Sequence, residues 1–143
     1  MTRVDHTPTT RPVALVCGEP RLRRLLRLAL EAGGYIVHDY SAPRDLPAPG
    51  AVAAAVVDLD SLRPPLVGGA LHQRTRDLPE TLPALLISVY PAEGEERRRA
   101  GPTDYVQPPF PADEIARRVA RLLRAVGETD GAERGGGRLS PAG

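Results

Sequence analysis

The stretch DYVQPPF, Asp104–Phe110, decides how this chain is read. Tyr105-Val106-Gln107 suits a brief strand, because aromatic and β-branched side chains pack well on a pleated surface. Pro108 and Pro109 cannot continue a hydrogen-bonded ladder, so the strand ends there in a turn. From Asp113 to Val126 the residues Ile115, Ala116, Val119, Leu122, Leu123 and Val126 recur at helical spacing and make one apolar face. The segment therefore reads as a strand, a tight turn and a helix laid back on the sheet.

The same unit recurs upstream. Val13–Cys17 (VALVC) is an apolar run suited to a strand buried on both faces. Pro20 suits the first turn of a helix, where its missing N–H costs nothing. Leu22, Leu25, Leu26, Ala29 and Leu30 then follow at helical spacing until Gly33-Gly34 stops the helix. Tyr35–Tyr40 reads as a second strand, Val52–Asp58 as a third and Ala84–Val89 as a fourth. Residues 41–50, SAPRDLPAPG, carry three prolines and leave room for at most one helical turn. Residues 65–77, weakened by Gly68-Gly69, and 92–100 complete the set as expected helices. Strand and helix alternate throughout, which predicts an α/β domain with a parallel sheet wrapped by helices on both sides. The folded part is expected over 12–127, between a disordered leader, 1–11, and a flexible tail, 128–143, rich in Gly and charge.

Composition narrows the function classes. A net charge of +1 gives no global drive toward nucleic acid or membrane. The hydrophobic fraction is 41% but aromatics only 3%, so Leu, Val and Ala must build the core and few rings are available to stack on bases. All 19 basic residues are Arg, which excludes any mechanism that needs a lysine amine. The single Cys17 cannot form an internal disulfide, and no apolar stretch approaches membrane-spanning length. A cytoplasmic protein is the expectation.

In parallel sheets, chemistry gathers at the carboxyl ends of the strands. Those ends are Cys17-Gly18-Glu19, Asp58–Asp60, Ser88-Val89 and Gln107–Pro109. With these residues in place, the chain from about 12 to 126 resembles the receiver domain of bacterial response regulators. That resemblance implies a flavodoxin-like (βα)5 three-layer sandwich with a five-stranded parallel sheet, here with a short or degraded second helix. It also implies a signalling module rather than an enzyme. AAVVDLD places Asp58 at the phosphoacceptor position, LLISV places Ser88 at the switch hydroxyl, and GPTDYVQPPF places Tyr105 at the switch aromatic. The family's acidic pair, which holds Mg²⁺, is replaced by Cys17 and Gly18, and its lysine by Pro108. The Pro108–Pro109 bond stands where the family's turn is cis, and a cis bond is expected here too.

Mg²⁺ needs several hard oxygen ligands. Cys17 offers a soft sulfur, Gly18 offers no side chain, and Glu19 and Asp60 are the nearest substitutes. Pro108 has neither charge nor donor. The turn thus reads as closing a receiver whose phosphorylation chemistry has been dismantled, with no metal and no cofactor. Asp58 reads either as a vestigial phosphoacceptor or as an ordinary turn residue, and Cys17 as a small core hydrophobe. Restoring Asp at 17 and 18 together with Lys at 108 is expected to rebuild a Mg²⁺ site.

Two partner expectations follow. Arg23, Arg24 and Arg27 lie on the first helix and Arg117, Arg118, Arg121 and Arg124 on the last. The resemblance makes these helices neighbours, so their arginines form either solvated helix backs or a docking patch for an acidic partner. The leading reading is a pseudo-receiver that binds a signalling or output-domain protein, or pairs with itself, without Mg²⁺-dependent phosphorylation. The alternatives are a small-molecule sensor using the vacated pocket and a residual phosphoacceptor at Asp58.

Overall fold

The computed structural model describes residues 11–62, 78–89 and 101–126. Five strands run through them: β1 (Val13–Val16), β2 (Val37–Tyr40), β3 (Ala54–Asp58), β4 (Ala84–Ile87) and β5 (Thr103–Val106). Two helices accompany them, α1 (Pro20–Ala32) and α2 (residues 112–126). The strands form one parallel sheet in the order β2-β1-β3-β4-β5, the flavodoxin-like arrangement expected.

Both faces of the central strands are covered, so β1, β3 and β4 are buried throughout, as their unbroken apolar runs require. Successive residues point to opposite cores. Val13, Leu15, Val56, Leu85 and Ile87 pack against Leu26 and Leu30 of α1 and Ile115, Val119 and Leu122 of α2. Ala14, Val16, Val57 and Leu86 pack against Val52, Leu59, Leu78 and Leu82 on the other side. The edge strands β2 and β5 are only partly buried.

Local chemistry fixes the element ends. Glu19 caps α1, its Oε1 accepting the Leu22 N–H at 2.7 Å, and Pro20 opens the helix as expected. Gly33 closes it, and Gly34 turns the chain with φ of +96°, a conformation that favours glycine. The proline-rich segment makes only two single 3₁₀ turns, Pro43–Asp45 and Pro49–Ala51. The Pro108–Pro109 bond is cis.

Three expectations need adjusting. Leu25, placed on the apolar stripe of α1, is 44% exposed, because it stands a full 100° step from Leu26. β2 and β3 begin two residues later than expected, at Val37 and Ala54. Both pair there with Val13, and Pro12 before it has no N–H to extend the ladder. β5 instead starts earlier, at Thr103, and releases Gln107, whose side-chain amide donates to the Val89 carbonyl at 3.0 Å. The expected helices at 65–77 and 92–100, most of the leader and the tail lie outside the described residues.

Candidate functional site

Strand register assembles the site. Val16 pairs with Val57 and Asp58 with Ile87, so Cys17, Asp58 and Ser88 all emerge at one end of the sheet. Asp58 is only 5% exposed. Its Oδ2 lies 3.7 Å from the Cys17 thiol, which also reaches the Glu19 carbonyl at 3.5 Å. Burial pushes the Asp58 carboxyl above its ordinary value; contacts with Ser61 oppose the rise and the charge of Asp60 adds to it. Burial likewise pushes the Cys17 thiol up, against its contact with the Glu19 backbone, which keeps it a neutral weak donor. Cys17 is therefore core filler, as expected, and also a hydrogen-bond partner of the buried acid.

The residue that sequence reasoning missed is Ser61. A 3₁₀ turn, Leu59–Ser61, carries it over Gly18. The Gly18 N–H donates to Ser61 Oγ at 2.7 Å, and the Ser61 hydroxyl donates to the Asp58 carbonyl at 3.2 Å. A Cβ on Gly18 would stand 2.5 Å from the Ser61 carbonyl oxygen. One of the two positions that would hold the family's acids is thus overlain by the chain itself. The only sequence signal was a hydroxyl residue three places after Asp58, which reads as an ordinary turn.

The substitute acids are also engaged. Glu19 caps α1, facing the helix rather than Asp58. Asp60 Oδ1 accepts the Ser88 hydroxyl at 2.9 Å and its Oδ2 the Val89 N–H at 2.8 Å. Pro108 is exposed and Tyr105 half-buried, packed against the second core. A cleft of about 470 Å³ lies beside Tyr105, lined by Phe110, Glu114 and Arg118 among others. The donor set does not fit Mg²⁺: one buried carboxylate, a soft sulfur and a glycine whose side-chain space is taken. Among the described residues no group of three or more His, Cys, Asp or Glu could hold a metal ion.

The arginines divide into two sets. Arg27 pairs with Asp39 and Glu31, at 2.7 and 3.0 Å. Arg117 pairs with Asp113 and Glu114. Arg118 binds both Asp104 oxygens at 3.0 Å, Glu114 at 2.7 Å and the Tyr105 carbonyl at 3.2 Å. Arg23 donates to the Cys17 carbonyl at 3.1 Å. Arg24, Arg121 and Arg124 are exposed, and among the described residues they form no ion pair. Arg118 is a clamp between β5 and α2, and Arg118→Ala should cost about 1 kcal/mol or less, read as a salt-sensitive fall in the urea midpoint.

No family model matches the chain. It is 32% identical to the transcriptional regulatory protein ResD of Bacillus subtilis in an alignment that covers 88% of this chain and 53% of that protein. It is 33% identical to the probable transcriptional regulatory protein TcrX of Mycobacterium tuberculosis, over 90% of this chain and 56% of that one. The chain thus spans about half the length of the curated relatives it matches. Among solved structures, a response regulator receiver domain protein from Bacillus halodurans superposes with a TM-score of 0.59 at 16% identity, covering 80% of this chain and 97% of that one. The fold, the strand order and these similarities agree: the chain has the flavodoxin-like fold of response-regulator receiver domains and is similar in sequence to part of bacterial transcriptional regulatory proteins.

Proposed function

We propose that this receiver domain signals through protein contacts and does not take up a phosphoryl group by the Mg²⁺-dependent route. The observation that carries the reading is the Ser61 turn lying over Gly18. Phosphoryl transfer is mostly positioning and charge neutralisation. Here the acidic pair is absent, no lysine stands at Pro108, and the space for one missing side chain is filled from within. Asp58 is held beside the Cys17 thiol, where the family's acidic pair would place a metal ion. The domain then acts in the cytoplasm as a binding module, not an enzyme. Its partner is a protein that presents acidic groups to the side of the sheet where α1 and α2 pack. Arg24, Arg121 and Arg124 are exposed there.

The test is an amide NMR titration of the wild-type chain with millimolar Mg²⁺ and beryllium fluoride. The Asp58 region is expected to stay unchanged. Saturable shifts around Asp58 that disappear in Asp58→Asn would overturn the reading.

A further inference from the structure

We infer that Asp60 is a built-in anion that occupies an oxyanion-binding donor pair at the end of β4. The pair is the Ser88 hydroxyl and the Val89 N–H. They donate to separate oxygens of one carboxylate, at 2.9 and 2.8 Å. A hydroxyl and a backbone N–H converging on two oxygens of one anion form the kind of donor set that receives a carboxylate or a tetrahedral oxyanion.

Both sides of this contact are anchored. Ser88 is 2% exposed and its N–H donates to the Val106 carbonyl at 3.2 Å. The Val89 carbonyl accepts the Gln107 side-chain amide at 3.0 Å. Asp60 rides on the 3₁₀ turn whose Ser61 grips the Gly18 N–H and the Asp58 carbonyl. The carboxylate therefore ties the turn after β3 to the end of β4, while Ser61 and Gln107 link the same region to the ends of β1 and β5. The contact sets the Ser88 hydroxyl in one position with no added ligand. An external phosphate would have to displace Asp60 and then sit beside the buried carboxyl of Asp58.

The inference deepens the reading proposed above and rests on it for its meaning: the switch hydroxyl is held by the chain's own acid. The ligand class that the freed pair takes is a phosphate-like oxyanion. Two measurements test it. In the wild-type chain the Val89 amide is expected to be protected from hydrogen exchange, and Asp60→Ala, which removes both acceptor oxygens, should speed that exchange about tenfold. A Val89 amide that exchanges in the wild type as fast as an open amide overturns the inference without any variant. In the second measurement, inorganic phosphate is titrated at constant ionic strength against wild type and Asp60→Ala. The variant is expected to show saturable shifts at Ser88 and Val89 at least about tenfold tighter than any in the wild type. Equal binding in the two chains, or none in a folded variant, overturns it. Shifts at Asp58 with Mg²⁺ and beryllium fluoride would instead sink the proposed function, so the two failures are distinguishable.

Discussion

Gly18→Asp is expected to destabilise the domain by about 3 kcal/mol and to lower its Tm by roughly 10 °C. The cause is steric. The new Cβ would lie 2.5 Å from the Ser61 carbonyl oxygen, a backbone atom that can move only if the 59–61 turn moves with it. Displacing that turn would also break the Gly18 N–H bond to Ser61 Oγ and disturb Asp60 on Ser88 and Val89. The added carboxylate would also join the buried carboxyl of Asp58, and two like charges at one site repel. Gly50→Asp is the control, since it makes the same charge change where nothing lies within 4 Å of the new Cβ. Denaturant melts of both variants decide the matter: a Gly18→Asp chain within about 0.5 kcal/mol of wild type would mean the turn does not cover Gly18. The same clash bears on rebuilding the family's metal site. Cys17→Asp, Gly18→Asp and Pro108→Lys together should give no Mg²⁺ binding while the turn holds its place, which is a different outcome from the one the sequence alone suggests.

The architecture was legible because it is written in local pattern. VALV, AAVVD and ALLI are strands buried on both faces and read as unbroken apolar runs. Pro20, Gly33-Gly34 and the prolines of 41–50 punctuate the chain where the structure starts and stops its helices. The end of the sheet was legible too, since strand order alone places Cys17, Asp58 and Ser88 together. What the sequence did not show were contacts made by approach in space. Ser61 meets Gly18 because a turn after β3 folds over the end of β1, and no spacing in the sequence encodes that distance. Asp60 looked like a spare metal ligand two residues beyond Asp58, yet its two oxygens face β4. The seven arginines looked like one charged face, but Arg27, Arg117 and Arg118 are held by acids that lie partly on other elements, Asp39 and Asp104 among them. Charge counting along a helix cannot see partners on a neighbouring strand.

Asp58→Asn is expected to stabilise the domain near pH 7, by about 1 kcal/mol or roughly 4 °C in Tm. Asp58 is 5% exposed; burial outweighs its contacts with Ser61, the Cys17 thiol at 3.7 Å and the Asp60 backbone N–H, and Asp60 adds a second negative charge nearby. Burial therefore holds its carboxyl above the ordinary value in the folded chain, whereas the unfolded chain titrates it normally. A carboxyl raised in this way binds its proton more tightly folded than unfolded. Its contribution to stability is fully present below the ordinary carboxylate range, near pH ~4, and is lost as pH rises through the raised folded value. Asn keeps the shape and a side-chain oxygen to accept from the thiol, without the buried charge. The gap between variant and wild type should thus be smallest in acid, open with rising pH and level off once Asp58 is ionised. Melts of the two chains across that range, in constant salt, give the profile directly. A pH-independent gap, or a variant less stable than wild type at neutral pH, would show that the ionised carboxylate is compensated where it sits. A cation or a set of strong donors would then have to lie beside Asp58, and the case for a receiver without phosphorylation chemistry would weaken with it.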